Sequence, residues 1–147
     1  MKSDMPVLDE RDYMLIELLR RNARMPYSRL AGELGLSESA VRKRIQRLIR
    51  LGVIERFTID YSLPGEATAI VLVRTSPPSV TPRVAASILG LEGVDRVYEV
   101  TGDYDILCVV RASSIADLNR IVDYIRGLEG VSSTHTIMAL RTYVPRW

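Results

Sequence analysis

Cysteine is nearly missing from this chain of 147 residues: there is one, Cys108. An intramolecular disulfide and a cysteine-built zinc site are therefore excluded. The lone thiol sits in the apolar run "ILCVV", where a small buried hydrophobe is expected rather than a reactive group. Histidine, phenylalanine and tryptophan also occur once each, and only two asparagines and one glutamine are present. Poverty in the amide residues is a bias of proteins that work at high temperature. No run of 18 apolar residues occurs, so no membrane-spanning helix is expected. The start, "MKSDMPVLDERD", lacks the apolar centre of a secretory signal, and a cytoplasmic location is the expectation. There is no P-loop, no Rossmann glycine pattern and no nucleophile elbow. No catalytic residue, metal site or cofactor is expected.

What is present fits a folded protein: 47% hydrophobic and 26% charged residues. The net charge of +2 says little until it is divided along the chain. Residues 1–61 hold 12 Lys and Arg against 9 Asp and Glu, whereas residues 62–147 hold 8 against 9. The positive excess lies wholly in the first part.

Five residues, "GLEGV", occur twice, at 90–94 and 127–131. Each copy lies between a helix-like and a strand-like stretch, so the repeat marks two similar units. The first has a strand over 67–76, a loop "PPSVTP", a helix and a strand over 94–100. In that helix Thr81 is the expected cap, Pro82 an early position, and Val84, Ala85, Ile88 and Leu89 the inward face. The second has a strand over 105–111 and a helix capped by Ser113 or Ser114. Ile115, Leu118, Ile121, Val122 and Ile125 face inward, and the strand "SSTHTIMALRTYV" follows. Gly90 is expected to end the first helix in a left-handed conformation, and Gly127 to end the second. In each copy the leucine seals the helix end and the second glycine turns the chain onto the sheet. Two such units joined by the turn "TGDYD" (101–105) give βαββαβ, a ferredoxin-like plan. One sheet face carries both helices. The other must be covered, which predicts an oligomer.

Ahead of this, "DERDYMLIELLRRN" (9–22) reads as a helix capped by Asp9, with Tyr13, Ile16 and Leu19 inward. A second helix starts at Ser28, with Leu30, Ala31 and Leu34 apolar. Gly35 and Leu36 turn the chain, and Ser37 caps a third helix that ends at Gly52. "LAGELGLSESAVRKRIQRL" is a helix-turn-helix pattern. On a helical wheel Val41, Ile45 and Leu48 fall within about 60° of one another and define the buried side. Ser39, Lys43, Gln46 and Arg50 lie opposite, with Arg42 and Arg47 flanking. A basic face on the second helix of a helix-turn-helix points to duplex DNA. Its cations neutralise phosphates, and Gln46 or Arg42 suits base edges. The expected DNA-binding set is Ser37, Ser39, Arg42, Lys43, Gln46, Arg47 and Arg50. After Gly52, "VIERFTIDY" alternates Phe57, Ile59 and Tyr61 with Thr58 and Asp60 and is expected as a strand, a small wing. The expected organisation is α+β: a (winged) helix-turn-helix domain over 1–61, a linker over 62–66, and a ferredoxin-like domain over 67–147.

Two segments together, "LDERDYMLIELLRRNARMPYSRLAGELGLSESAVRKRIQRLIRLGVIERFTID" and "GVDRVYEVTGDYDILCVV", resemble the Lrp/AsnC family of leucine-responsive, feast/famine transcription regulators. The resemblance covers nearly the whole chain. It implies homodimers paired through the C-terminal sheets, often assembled into octamers. It also implies a small effector, commonly an amino acid, bound between C-terminal domains near the "TGDYD" turn. The residues themselves offer Gly102, Asp103, Tyr104 and Asp105 in that turn, with hydroxyls from Ser133, Thr134 and Thr136 nearby. Carboxylates beside O–H and N–H donors suit a zwitterion. The same glycine and aspartates equally make a good hairpin turn. Two other readings compete with an amino-acid-responsive regulator. One is an effector-independent DNA-packaging protein. The other is an enzyme like the siroheme decarboxylases, which resemble this architecture, although a single histidine, His135, argues against a tetrapyrrole cavity.

Overall fold

The helix signals near the start of the chain become three helices in the computed structural model, which describes residues 6–146. Residues 1–5 and Trp147, at the outer ends of the expected domains, lie outside the described residues. Helix α1 is Glu10–Arg21, α2 is Tyr27–Leu34 and α3 is Glu38–Arg50. Asp9 caps α1 in a reciprocal box: its carboxylate accepts from the Asp12 N–H, and the Asp12 carboxylate accepts from the Asp9 N–H. Helix α2 begins one residue earlier than expected, after Pro26, and ends at Gly35 in the left-handed region (φ 63°). Leu15, Leu19, Leu30, Ala31, Leu34, Val41, Ile45 and Leu48 form one core. Each large side chain removed from water there contributes about 1.5–3 kcal/mol.

Two expectations fail in this region. Tyr13 is exposed, because the inward stripe of α1 is Asp12, Leu15 and Leu19. A charged residue occupies the place that an apolar reading assigns to its neighbour. The segment 53–61 is not a strand. Phe57, Ile59 and Tyr61 are exposed, and no strand among the described residues pairs with it. Alternation alone does not make a strand without a partner for its backbone.

The second compact unit runs from Tyr61 to Val144, and the chain up to Asp60 belongs to the first. Strands β1 (Ala67–Thr75), β2 (Val94–Glu99), β3 (Ile106–Ala112) and β4 (Val131–Met138) form one sheet in the order β2-β3-β1-β4. All neighbours are antiparallel. With α4 (Thr81–Leu89) and α5 (Ile115–Arg126) as crossovers, this is the ferredoxin-like arrangement. Ala69, Val71, Val73, Ile106, Cys108 and Val110 face the helices and meet Val84, Ile88, Leu118, Val122 and Ile125. Burial pushes the Cys108 thiol up to about 11, so it stays protonated and inert.

The repeated pentapeptide is explained by its second glycine. Gly93 and Gly130 have φ of 88° and 95°. Each also passes too close to its surroundings for a side chain: a Cβ would lie 2.6 Å from the Arg111 carbonyl oxygen at Gly93, and 2.7 Å from Val80 Cγ2 at Gly130. The first glycines, Gly90 and Gly127, are both right-handed (φ −76° and −84°), contrary to expectation for Gly90. The left-handed turn is made three residues later, where the chain enters the sheet. Leu91 and Leu128 pack on the core as expected.

Other local differences have local causes. A 3-10 turn, Pro78–Val80, leads straight into α4, so Thr81 is already inside the helix and caps nothing. Its hydroxyl donates to the Pro78 carbonyl and lies 2.6 Å from Thr75 Oγ1. Leu89 and Ile115 sit at helix ends off the inward stripes and are exposed. Ser114, rather than Ser113, caps α5 by accepting from the Asp117 N–H. Both hydroxyls donate to the Asp117 carboxylate and hold it below its ordinary acidity range. Strand β4 stops at Met138, six residues short of the expected end.

Candidate DNA-binding face and effector site

Helix α3 divides its basic residues into two groups. Arg44 and Arg47 turn back toward α1. Arg44 Nη1 donates to both Asp9 oxygens and to Asp12 Oδ1, at 2.8–2.9 Å. Arg47 Nη1 donates to Asp12 Oδ2 at 3.0 Å, and its Nη2 to the Val7 carbonyl at 2.7 Å. Asp12 is 1% exposed, so a buried carboxylate is satisfied by two guanidinium groups that reach water on their far sides. The Arg44 hydrogen bond, followed by that from the Asp12 N–H, holds the Asp9 carboxyl below its ordinary value. Stability from this contact is thus present above the unfolded Asp range and lost as pH falls through the lowered value.

The second group stays outward. Ser39, Arg42, Lys43, Gln46 and Arg50 are exposed. Ser37 is also exposed, but its hydroxyl is occupied as the cap of α3, accepting from the Ala40 N–H at 3.1 Å. The Arg42 guanidinium lies 4.7 Å from the centre of the Tyr27 ring, which steadies it at the edge of the helix face. Of the seven residues expected at DNA, Arg47 has its guanidinium engaged within its own unit. Arg44, which the wheel placed in neither group, shares that task. The pattern Asp9-x-x-Asp12 is visible in sequence, but its pairing with arginines 32 to 35 positions away is not.

In the sheet unit, the turn "TGDYD" lies beside β1 and β4. Gly102 has φ 114°, which requires glycine, and a Cβ there would meet open space. Arg74 Nε donates to the Asp103 carbonyl at 2.8 Å, and its guanidinium stands 5.3 Å from the centre of the Tyr104 ring. That ring is 6.4 Å from the His135 ring. Ser133 pairs with Arg74 and His135 with Leu72, so both share the helix-free face. Gly102, Asp103, Tyr104 and Ser133 are thereby gathered with two residues the sequence did not single out as a set, Arg74 and His135. Thr134 and Thr136 are not gathered with them. They pair with the buried Val73 and Val71 and face the helix side. Period-two alternation along a strand separates them from Ser133. The Asp105 carboxylate is engaged too: its Oδ2 accepts from the Thr75 N–H at 2.7 Å and from Thr75 Oγ1 at 3.2 Å, beside the irregularity in the β1–β4 ladder. The exposed Asp103 carboxylate has no partner among the described residues.

A helix-turn-helix with an outward basic face, followed by an antiparallel sheet open on one side, defines a class: two-part DNA-binding regulators with a separate ligand domain. The comparisons agree. An AsnC-type helix-turn-helix domain matches residues 8–49, and the Lrp/AsnC ligand binding domain matches residues 68–146. The chain belongs to the Lrp/AsnC family and is a helix-turn-helix transcription regulator. It is 56% identical over 99 residues to the HTH-type transcriptional regulator LysM of Sulfurisphaera tokodaii, which covers 67% of this chain and 71% of that protein. It is 52% identical to LysM of Saccharolobus solfataricus, also over 99 residues, 67% of this chain and 70% of that one. Among solved structures, PH0061 of Pyrococcus horikoshii superposes with a TM-score of 0.86 at 26% identity, covering 97% of this chain and 99% of that one. AsnC of E. coli superposes with a TM-score of 0.75 at 26% identity, covering 97% and 98%. Among the described residues no helix is long and apolar enough to cross a membrane.

Proposed function

We propose that this regulator reads duplex DNA with Ser39, Arg42, Lys43, Gln46 and Arg50 of α3, while Arg44 and Arg47 hold that helix in place. The observation that carries this is the division of the basic residues into an inward pair and an outward set. Cations that face solvent are available to phosphates, and each phosphate contact releases counterions from DNA. Replacing Lys43 and Arg50 together with alanine is expected to weaken binding to all duplexes. The plot of log affinity against log salt should flatten by about one unit per lost contact. Fluorescence anisotropy over a salt series measures both. An unchanged slope would remove this face from the interface.

The protein acts as a homodimer in this reading, with higher oligomers built from it, joined through the helix-free face of the sheet. That face carries Ile70, Leu72, Leu107 and Val109 at its centre, with Tyr98 and Ile137 exposed beside them. An apolar sheet face of this kind is covered in folded proteins. The cytoplasm is the compartment in which such a regulator meets its DNA, and no residue is given a catalytic role.

The effector is a small amino-acid-like molecule bound at the turn 101–105. The exposed Asp103 carboxylate suits an ammonium group. Arg74, with only its Nε committed among its nitrogens, and Ser133 suit a carboxylate. Screening the twenty amino acids for thermal stabilisation identifies the ligand, because a molecule that binds only the folded state raises its stability. Calorimetry on Asp103→Ala is then expected to show binding weakened by at least about tenfold, with ligand-free DNA affinity unchanged. Equal affinity in the two proteins would remove Asp103 from the site. Absence of any hit would favour an assembly role for the domain.

A further inference from the structure

The segment between the two expected domains does not hang free. Tyr61–Glu66 folds onto the end of β3, and one side chain holds it at both ends. Arg111 lies on the helix-free face, one residue from the end of β3, and its side chain is 20% exposed. Its Nη1 donates to the Tyr61 carbonyl at 3.0 Å, and its guanidinium stacks 4.9 Å from the centre of the Tyr61 ring. Glu66, whose side chain is 13% exposed, brings Oε2 within 3.7 Å of the same Nη1. Asp95 of β2 completes the surround, with Oδ2 4.0 Å from Nε. Between the two anchor points the chain closes on itself: the Glu66 N–H donates to the Leu63 carbonyl, and Gly65 takes φ 81°. The base is firm as well. The Arg111 N–H donates to the Gly93 carbonyl at 2.7 Å, and the Arg111 carbonyl packs against Gly93 where any side chain would collide.

We propose that Arg111 is a positioning residue for DNA recognition: it pins Tyr61–Glu66 to the sheet and so fixes where the chain leaves that unit toward the helix-turn-helix. The proposal rests on the paired-dimer reading above, in which two recognition helices must meet half-sites at one spacing. A planar guanidinium suits this task, since it holds a carbonyl, a carboxylate and a ring face in one geometry, which an ammonium does not. With the exit point fixed, spacing between half-sites matters. With it loose, the linker lengthens and either spacing is tolerated.

The test uses the full chain and duplexes selected from random sequence by the wild-type protein. Each selected site with two half-sites is compared with a version carrying about 5 bp inserted, which turns one half-site to the opposite face of the helix. Wild type is expected to prefer the in-phase duplex by about tenfold or more, because avidity is lost when geometry forbids joint engagement. Arg111→Lys and, independently, Glu66→Gln should reduce that preference to about twofold while leaving single half-site affinity unchanged. Hydrogen exchange at the amides of 61–66 should rise in both variants, with the unfolding transition of the sheet unit retained. If exchange rises while the in-phase preference stays at the wild-type value, the contact is structural only and the proposal is overturned. If exchange is unchanged in both variants, there is no clasp. A wild type without phase preference would refute the paired reading itself, a result distinct from both.

Discussion

Asp12→Ala is expected to destabilise the helix-turn-helix unit by about 2–3 kcal/mol, the largest effect of any single substitution outside the apolar cores. The carboxylate is buried and takes a hydrogen bond from each of Arg44 and Arg47. Removing one partner of a fully buried pair costs about 3–5 kcal/mol, chiefly because the other charge is stranded. Here the arginines are 24% and 40% exposed, so water takes up part of the loss, and the figure belongs below that range. The variant also loses the bond from the Asp9 N–H that closes the capping box. For a unit of this size the change corresponds to roughly 10–20 °C in its melting temperature. The two units need not unfold together, so the readout should be local: hydrogen exchange along α1 and α3 as a function of urea. The sheet unit should be unaffected. A loss below about 0.5 kcal/mol, the range of ordinary surface substitutions, would show that the arginines find equivalent partners elsewhere.

The second large effect concerns assembly. Leu72 lies in the middle of the helix-free face, with Leu107 on one side and His135 on the other. In the proposed dimer, Leu72→Arg should weaken self-association by at least about 100-fold, equivalent to about 2.8 kcal/mol, because two unpaired cations would be buried against each other at a twofold contact. Affinity for duplexes with two half-sites should fall with it, since engagement of the second half-site is no longer intramolecular. The matched control is Leu89→Arg on the outer surface of α4, where the leucine is already exposed and association should be unaltered. Sedimentation velocity at micromolar concentration separates the outcomes. A Leu72→Arg protein that sediments like a dimeric wild type would place the subunit contact elsewhere.

Arg74 and His135 show why the proposed effector site was only partly legible. Both were plain in the sequence, but Arg74 stands near the end of an apolar strand and His135 is one of several polar residues in another, so neither stands out locally. What makes them neighbours of Tyr104 is the pairing of β1 with β4, and pairing partners are far apart in the chain. Thr134 and Thr136 are parted from Ser133 for the complementary reason. Sequence proximity to Ser133 suggested a shared site, whereas adjacent strand positions point to opposite faces. Tyr61–Glu66 has loop composition, and nothing local shows that Arg111, 45 or more positions away, holds it to the sheet.

The sequence by itself determined the elements that depend on near neighbours. Asp9 and Ser37 cap their helices, because a cap needs only the residues two or three positions on. Val41, Ile45 and Leu48 form a buried stripe, because helical period converts spacing into direction. The doubled "GLEGV" gave the order of strands and helices, and with it the ferredoxin-like plan. Tertiary structure alone decided where charge goes. Coulomb and hydrogen-bond partners are chosen by distance in space, so Arg47 and Lys43, four positions apart and both basic, part company: one satisfies a buried aspartate, the other faces solvent. The same holds for Asp103 and Asp105, two residues apart in one turn, of which only the second meets the N–H of Thr75.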